Sequence, residues 1–338
     1  PQAGEVWVDV KATGVCRSDY SVINGTIPTE FPLVLGHEGA GIVREVGEGV
    51  THVKAGDHVV LSFIPNCGEC FYCEHDQANL CSSKDAVHGY MLDGTSRVKR
   101  GSEELRVMTQ LGCMAEACVA PAISVIKIDE EIPLASAALV GCGVMTGVGA
   151  AINTAKVAKG STVAVFGCGG IGLSIIQGAR IAGAGKVIAV DTMANKLEMA
   201  KKFGATHAVE LGNAHEYIVE LTEGRGADYC FEAVGKGELM QIAEAATRPG
   251  GTCTVVGVGS MEDQFVLNPF MLPLFGKSIL GSMYGGCNPK RDFPRLLDYY
   301  REGKLNLDGM ITNTYSLDQA SKAFEDLVAG VNARGVII

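Results

Sequence analysis

The spacing of hydrophobic positions changes near residue 140. Before about residue 128, short runs in which apolar and polar residues alternate are separated by Gly-rich turns, as at residues 6–10, 41–46 and 58–63. A period of two is typical of strands with one buried face. Helical periodicity is scarce in this stretch, so the pattern predicts an all-β, partly barrel-like module.

After Val140 a different unit repeats, made of an apolar strand, a Gly turn and a helix. The predicted strands are 162–166, 186–191, 227–234 and 251–258, and the predicted helices end near residues 182 and 203. This alternation is typical of a parallel sheet with helices on both faces. The predicted fold class is therefore α/β, with a doubly wound parallel sheet.

From about Pro289 the pattern changes again, to helices at 294–302 and 317–329 and a final strand at 335–338. We expect this third stretch to rejoin the first module. The predicted division of the chain is thus 1–143, 144–286 and 287–338, with the last part returning to the first.

Composition narrows the classes of function. The chain has 338 residues, of which 47% are hydrophobic and 20% charged, as is ordinary for a folded protein of this length. Its 28 basic and 38 acidic residues leave a formal charge of −10, and the basic residues are dispersed, so we expect no nucleic-acid partner. Neither a membrane-spanning stretch nor an export signal is visible, which predicts a cytoplasmic protein with no membrane partner.

Four of the twelve cysteines form what we call the cysteine cluster: Cys67, Cys70, Cys73 and Cys81. The first three are spaced by two residues, and the fourth follows after a short loop. This pattern is typical of a structural zinc held in a tetrahedron of thiolates. The alternatives are a disulfide pair, which needs an oxidising compartment, and scattered buried thiols, which need no pattern.

A run of glycines follows the predicted strand 162–166 and opens a helix. Its members are Gly167, Gly169, Gly170 and Gly172. In this context glycines let the backbone turn tightly and approach a pyrophosphate, which rests on the helix N-terminus. Asp191 ends the next strand, where a carboxylate accepts both ribose hydroxyls and repels a 2′-phosphate, so NAD is expected rather than NADP. Lys196 could contact the same ribose or be a solvated helix lysine. A Gly-rich turn of some other α/β protein is the alternative for the whole motif.

Cys16, His37 and Cys142 would suit a second, open zinc site. A catalytic zinc keeps three protein ligands and leaves a fourth position for water or substrate. Each residue alone is more often a loop histidine or a packed thiol, and only their occurrence with the other motifs favours the metal. Asp19 is the carboxylate that we expect on the other ring nitrogen of His37. Glu38 could approach the metal when water exchanges, or be structural.

Together these motifs resemble those of the zinc-dependent medium-chain alcohol dehydrogenases. The resemblance runs along the whole chain through Cys-Arg-Ser-Asp, Gly-His-Glu, the cysteine cluster, Val-Gly-Cys-Gly and the glycine run. It implies a GroES-like β-barrel catalytic domain, a Rossmann coenzyme domain and NAD in the cleft between them. It also implies two zinc ions per subunit, one catalytic on Cys16, His37 and Cys142 and one structural on the cysteine cluster.

The same resemblance assigns further cofactor contacts. It implies that Arg17 and Arg334 hold the pyrophosphate, that Thr146 lies behind the nicotinamide and that Ile171 packs on the ring. Val256 is placed in the cofactor site as well.

Within the family, the separation of Cys81 from Cys142 is similar to that of the long-loop branch, whose members are typically dimers joined near residues 278–284. We therefore expect a homodimer. Residues 58–67 resemble the nicotinoprotein branch, in which the nucleotide stays bound between turnovers, whereas residues 93–97 and 153–156 resemble glutathione-dependent formaldehyde dehydrogenases.

Two of the positions that depart from these relatives bear on glutathione binding and on proton release. Asp85 stands where the formaldehyde branch has an arginine that helps to hold the glutathione carboxylate. Ser21 stands where many relatives have a histidine on the outward path of the proton.

The predicted function is zinc- and NAD-dependent interconversion of primary alcohols, allylic or aromatic ones included, and aldehydes. Zinc lowers the pKa of the alcohol, Ser18 takes its proton, and the carbinol delivers hydride to the nicotinamide. The predicted apolar wall of the pocket consists of Phe63, Leu111, Val258 and Met283, with the partner subunit's Phe270 added.

Two other functions stay open at this point. A thiol-adduct formaldehyde dehydrogenase or nitrosothiol reductase would use the same zinc. A nucleotide-binding protein of this fold that has lost its chemistry would be expected to lack the metal ligands, yet Cys16, His37 and Cys142 are all present.

Overall fold

The structure, a computed structural model, describes residues 1–85 and 89–338, apart from the side chains of residues 84 and 85. The chain divides into two units. The first comprises Pro1–Met145, Cys287–Gly303 and Leu307–Ile338, and the second comprises Thr146–Gly286 and Lys304–Asn306. The short return to the second unit was not predicted. It is held by the N–H of Asn306, which donates to Oε1 of Gln177 at 2.7 Å.

Strands and helices are numbered along the chain. The strands are β1 Glu5–Val15, β2 Leu33–Val34, β3 Gly39–Val46, β4 His58–Leu61, β5 Val98–Arg100, β6 Glu103–Val107, β7 Ala117–Pro121, β8 Val125–Lys127, β9 Thr162–Phe166, β10 Lys186–Asp191, β11 His207–Glu210, β12 Ala227–Glu232, β13 Thr247–Val255, β14 Ser278–Gly281, β15 Ile311–Tyr315 and β16 Arg334–Ile337. The α-helices are α1 Arg17–Ile23, α2 Phe71–Glu74, α3 Leu134–Ala138, α4 Gly143–Gly149, α5 Gly170–Ile181, α6 Ala194–Lys202, α7 Ala214–Leu221, α8 Gly237–Ala246, α9 Met271–Leu274, α10 Pro289–Arg301 and α11 Ala320–Val328.

The first unit is organised around β1. Its main sheet has the order β15-β16-β1-β3-β4-β8, with β7 also paired to β1. Val6 and Val8 alternate along β1 and are fully buried, where they pack with Val43, Val59 and Leu61. This is the period-two burial that the sequence pattern predicts. A smaller sheet has the order β2-β6-β5.

The second unit contains a six-stranded parallel sheet of order β11-β10-β9-β12-β13-β14. Counted from β9, this is the order of a doubly wound dinucleotide-binding sheet. Nearly every residue of β9 and β10 is buried, because helices cover a parallel sheet on both faces. The predicted fold class is confirmed. Strand β14, through which the homodimer is predicted, lies at one edge of this sheet, and the dimer itself stays a prediction.

Several elements differ from the sequence-based expectation. Strand β11 and helices α7 and α8 were not predicted. In β11 no residue is buried, so no alternation of buried and exposed positions marks the strand. Helix α10 begins at Pro289 rather than at Pro294. Proline is favoured at the first helical position, and Pro289 occupies it, so Pro294 lies inside the helix.

In the described part of the chain, no single helix is long and apolar enough to cross a bilayer. The bent pair Leu134–Gly141 and Gly143–Thr154, with 57° between its two parts, has the length and apolar composition of a span only when its parts are taken together.

Phe231 offers a test of the sheet in the second unit. Its side chain is fully buried in β12, with Val165 of β9 and Thr254 of β13 beside it in register. Phe231→Ala should lower the free energy of unfolding by about 3–5 kcal/mol, because a buried ring leaves a cavity. Urea denaturation measures the change. Phe31→Ala is the control, since that ring is 62% exposed, and equal losses in both variants would contradict the packing described here.

Candidate active site

Cys16, His37 and Cys142 come from three separate places in the first unit. Cys16 stands at the junction where β1 ends and α1 begins. His37 follows a sharp turn at Gly36 and precedes β3. Cys142 occupies the break between the short helical turn Leu139–Gly141 and α4. All three are therefore placed at ends of regular elements, where a side chain is free to leave the repeating pattern.

The structure brings these side chains together. The ligand atoms of Cys16, His37, Glu38 and Cys142 all lie within 4.8 Å of one another, and all four residues are buried. Ligands at about 2.0–2.3 Å from one zinc ion are separated by such distances. In the described part of the chain, Nε2 of His37 is buried with no hydrogen-bond partner. A buried ring nitrogen left this way is costly unless a metal or substrate satisfies it.

Asp19 orients the histidine. Its Oδ1 lies 3.2 Å from Nδ1 of His37 and accepts the N–H of Gly36 at 3.0 Å. Asp19 is fully buried in the first turn of α1. The bond to Nδ1 keeps the proton there and leaves Nε2 as the metal-facing atom, as in other carboxylate–histidine pairs.

Gly36 is required by this geometry. Its φ is +98°, and a Cβ at this position would lie 2.2 Å from the backbone nitrogen of Met114. That nitrogen donates to the carbonyl of Leu35 at 2.9 Å. Any side chain at residue 36 would therefore push apart the two segments that set the position of His37.

The ionisation of the site favours a cation. A hydrogen bond with Cys142 lowers the pKa of Cys16 well below its ordinary value, and the same contact raises the pKa of Cys142, as burial also does. Burial lowers the pKa of His37, but the charges of Asp19 and Cys16 outweigh it and raise that pKa well above its ordinary value. Without a cation, the raised pKa values of Cys142 and His37 favour a proton on the Cys142 thiol and a second proton on the imidazole, at Nε2. A divalent cation would replace both protons, which fits this donor set to zinc.

Glu38, which lies beside the three predicted ligands, is paired with Arg334. The guanidinium of Arg334 is 5% exposed and contacts Oε2 of Glu38. Burial raises the pKa of Glu38 to about 7, although the charge of Arg334 opposes that shift. Arg334 was predicted as a pyrophosphate ligand, and no sequence signal indicated its pairing with a residue 296 positions away. The pyrophosphate role stays a prediction beside this observed contact.

The cysteine cluster also has the dimensions of a zinc site. Its sulfur atoms lie 3.9 Å apart for Cys67 and Cys73, 3.9 Å for Cys70 and Cys81, and 3.5 Å for Cys67 and Cys81. A tetrahedral zinc with bonds of about 2.3 Å separates its sulfurs by about 3.8 Å. All twelve cysteines are free thiols, so the disulfide alternative is wrong.

Backbone groups prepare part of this cluster for a cation. The N–H groups of Cys73 and Ser82 lower the pKa of Cys70 to about 5. Burial raises the pKa of Cys73 to about 12. The backbone donors thus favour the thiolate form of Cys70, whereas burial disfavours the thiolate form of Cys73 unless a cation lies beside it.

The glycine run forms the expected turn in the second unit. A Cβ at Gly172 would lie 1.8 Å from the carbonyl oxygen of Gly167, so the strand and the helix approach too closely for a side chain. At Gly169 nothing lies within 4 Å of a Cβ position. The backbone there faces open space at the N-terminus of α5, which leaves room for a pyrophosphate.

Asp191 is held in one orientation beside this turn. Its Oδ2 accepts the N–H of Cys168 at 2.7 Å, and its Oδ1 accepts the N–H of Met193 at 3.0 Å. Asp191 is 9% exposed at the end of β10. Two backbone donors thus fix a carboxylate whose remaining lone pairs can accept ribose hydroxyls.

Glu232 was missed by the sequence reasoning. It ends β12, is fully buried, and accepts the N–H groups of Val234 at 2.8 Å and Gly235 at 2.7 Å. The side chain of Val234 lies so close to Gly167 that a Cβ there would be 2.4 Å from it. A signal was available, since an acid at the end of an apolar strand is the pattern that identified Asp191.

The other predicted residues of α1 lie at its first turns. Arg17 is exposed, with its guanidinium 5.5 Å from the ring centroid of Tyr20. Ser18 and Ser21 are half-buried. The side chain of Asp85 lies outside the described residues.

The remaining predicted cofactor residues lie in the second unit. Ile171 is half-buried in the first turn of α5, and Lys196 is half-buried in α6. Thr146 and Val256 are buried. Their contacts with NAD stay predictions.

The predicted pocket wall is divided between the two units. Phe63 makes an edge contact with the ring of His37, with centroids 5.7 Å apart. Leu111 is fully buried in the core of the first unit. The other three are exposed residues of the second unit: Val258, Met283 and Phe270. The wall as a whole stays a prediction.

Comparisons with known proteins agree with this chemistry. Residues 2–130 match the alcohol dehydrogenase GroES-like domain, and residues 170–302 match the zinc-binding dehydrogenase family. The chain is 42% identical over 343 residues to the NDMA-dependent alcohol dehydrogenase of Amycolatopsis methanolica, covering 100% of this chain and 92% of that protein. It belongs to the zinc-dependent medium-chain alcohol dehydrogenase family. The family resemblance and the oxidoreductase class are thereby confirmed, and the doubly wound unit of this dehydrogenase suits an NAD(P) coenzyme.

Two further relatives bear on the substrate. The dehydrogenase is 41% identical over 352 residues to the S-(hydroxymethyl)glutathione dehydrogenase of Paracoccus denitrificans, covering 100% of this chain and 93% of that one. It superposes on the crystal structure of benzyl alcohol dehydrogenase from Acinetobacter calcoaceticus with a TM-score of 0.91 and 31% identity, over 100% of this chain and 92% of that chain.

Asp19→Asn tests the orientation of His37. The variant removes the charge beside Nδ1, so zinc affinity at the Cys16–His37–Cys142 site should fall about 10–100-fold while the cysteine cluster keeps its metal. Competition with a chromophoric chelator measures both sites. Asp9→Asn is the matched control, because Asp9 pairs with Arg44 on a partly exposed surface. Retention of both ions at unchanged affinity in Asp19→Asn would contradict the assigned role.

Proposed function

We propose that this dehydrogenase uses NAD to oxidise primary alcohols, allylic or aromatic ones among them, and reduces the aldehydes in reverse. One observation carries the proposal. Two thiols and a ring nitrogen converge within 4.8 Å in a buried pocket, and Nε2 of His37 has no partner in the described part of the chain. The similarity to the alcohol dehydrogenase of Amycolatopsis methanolica and to the benzyl alcohol dehydrogenase of Acinetobacter calcoaceticus supports the same chemistry.

Two zinc ions per subunit belong to the proposal. Cys16, His37 and Cys142 would hold the catalytic ion, and the cysteine cluster would hold the structural one. At the first site zinc supplies a Lewis acid that lowers the pKa of an alcohol hydroxyl. Asp19 holds His37 in the tautomer that presents Nε2.

The proton of the alcohol would pass to the protein at Ser18 Oγ. Ser18 lies in the first turn of α1, two residues after Cys16, and is half-buried. A hydroxyl can accept one proton and donate its own onward, so it serves as a relay. The onward path differs from that of many relatives because Ser21 replaces a histidine.

The coenzyme preference follows from Asp191. Its carboxylate is fixed by two backbone N–H groups at the end of β10. A carboxylate fixed in this position accepts hydrogen bonds from the ribose hydroxyls of NAD and repels the 2′-phosphate of NADP. NAD would supply the hydride acceptor, and the backbone N–H groups of the glycine run would hold its pyrophosphate.

A second candidate function has support of its own. The likeness to the Paracoccus enzyme favours an S-(hydroxymethyl)thiol dehydrogenase, which would use the same zinc. The departure at Asp85 weakens it, because an acid would repel the carboxylate of a glutathione adduct.

The substrate class is tested with a panel of aliphatic, allylic and aromatic alcohols and S-(hydroxymethyl)glutathione, with and without added NAD, by the absorbance of the reduced nicotinamide. We expect an allylic or aromatic alcohol to have the highest kcat/KM. Cys142→Ala should lower that value at least about 1,000-fold, which corresponds to about 4 kcal/mol. Cys118→Ala, which removes a buried thiol from the core, is the control. A faster rate with the glutathione adduct than with every alcohol would favour the second candidate, and full activity of Cys142→Ala would refute both.

Asp191→Asn tests the coenzyme preference. The variant keeps an oxygen acceptor and loses the charge, so the ratio of kcat/KM for NADP to that for NAD should rise about 10–100-fold, as expected for the loss of charge-assisted hydrogen bonds. Glu216→Gln on the exposed part of α7 makes the same change of charge and serves as the control. An unchanged ratio in Asp191→Asn would remove the argument for NAD.

A further inference from the structure

Asn66 lies directly before the cysteine cluster, and the Asn66 side chain makes two polar contacts. Its Nδ2 donates to Oδ1 of Asn288 at 3.0 Å, and its Oδ1 lies 3.5 Å from Sγ of Cys73. The residue is 4% exposed. A buried amide thus spans the gap between a metal-ligating sulfur and the residue that precedes α10.

Asn288 is used in an unusual way. Asparagine is a preferred residue at the position before a helix because its side chain accepts a backbone N–H of the first turn. Within the described part of the chain, Asn288 makes no such bond. Its backbone N–H donates to Oδ2 of Asp292 at 2.8 Å. The start of α10 is therefore secured by another side chain, which leaves the Asn288 amide to Asn66.

Zinc binding decides which way the Asn66 amide faces. A zinc-bound cysteine is a thiolate and only accepts hydrogen bonds, so an amide oxygen beside it would be repelled. The two orientations of an amide place oxygen and nitrogen at nearly the same points. Rotation puts Nδ2 next to Cys73 Sγ as a donor, and a matching rotation of Asn288 turns its own Nδ2 toward the oxygen of Asn66. Both contacts of the Asn66 side chain are then kept with donor and acceptor exchanged.

We propose that Asn66 is a positioning residue for the zinc of the cysteine cluster, donating to Cys73 Sγ and tying the cluster, through Asn288, to the start of α10. The inference rests on the structural zinc proposed above. A donor on a thiolate sulfur stabilises the ligand against loss of the metal, and partners of this kind typically change metal affinity 10–100-fold. Because Asn288 precedes α10, the same bond joins two segments more than 200 positions apart.

The test uses full-length protein with zinc or with cobalt(II) in the cysteine cluster. Asn66→Leu keeps the size and removes both polar atoms, and Asn66→Asp keeps an acceptor and removes the donor. Both variants should release the cluster metal to excess chelator about 10–100-fold faster than the unmodified protein. The thiolate-to-cobalt charge-transfer band should move to longer wavelength, since a sulfur without a donor gives up its electrons more easily. A change in folding alone would not move this band.

Matched controls are available. Asn24→Leu and Asn24→Asp alter an exposed asparagine of the same unit, whose Oδ1 accepts the N–H of Thr26, and both should leave the release rate and the band unchanged. Asn288→Asp places an acceptor opposite the Asn66 oxygen and should produce a smaller change in the same direction. If the Asn66 variants do not fold, Asn288→Asp decides the matter by the same two measurements.

Two results would overturn the inference in different ways. Unchanged release and an unmoved band in the folded variants would show that Asn66 does not act on Cys73. A cysteine cluster that takes up no metal in the unmodified protein would refute the structural zinc itself, and with it the inference.

Discussion

The first unit depends on the burial of charge-bearing groups around one point. Two thiols, an imidazole and the carboxylates of Asp19 and Glu38 lie together with almost no exposure. Burial of such groups is costly unless each is paired or bound to a metal. The structure pairs Oδ1 of Asp19 with His37 and Gly36, and Oε2 of Glu38 with Arg334. The ligand atoms that remain are those suited to zinc.

This constraint accounts for the path of the chain. The C-terminal strands β15 and β16 extend the sheet of the first unit by pairing β16 with β1. Arg334 begins β16, and the pairing of Val15 with Gly335 brings its guanidinium to the carbonyl of Val15 and to Glu38. The return of the chain to the first unit thus supplies the positive charge that Glu38 needs. Removing either partner would leave a buried charge without compensation.

The features that could be predicted from the sequence are those encoded over short distances. The spacing of Cys67, Cys70 and Cys73, the glycine run after β9, and Asp191 at the end of β10 all lie within one or two consecutive elements. Strand β9 and strand β10 were predicted with their observed bounds, because each contains four consecutive apolar residues bounded by polar residues or glycine. Cys16, His37 and Cys142 could be proposed only because the other motifs accompany them, since nothing local distinguishes them from packed thiols or a loop histidine.

What could not be predicted depends on contacts between distant segments. The pairing of Arg334 with Glu38 follows from strand register, and the contact of Asn66 with Asn288 follows from how α10 packs. Neither contact is marked by a periodic pattern of residues in the sequence. Helix α1 was missed for a related reason: with seven residues, of which Asp19 and Val22 are buried, it is too short for a helical period to appear. Cys16, one of the proposed zinc ligands, directly precedes its first turn.

In the proposed function, the thiols and the imidazole are ligands of two zinc ions with different surroundings. X-ray absorption at the zinc edge measures ligand type directly. In the proposal, four thiolates would bind one ion and two thiolates with one imidazole would bind the other. We therefore expect two zinc ions per chain with an average of three sulfur ligands per ion at about 2.3 Å. A spectrum dominated by nitrogen and oxygen ligands, or a protein that binds no zinc, would contradict it.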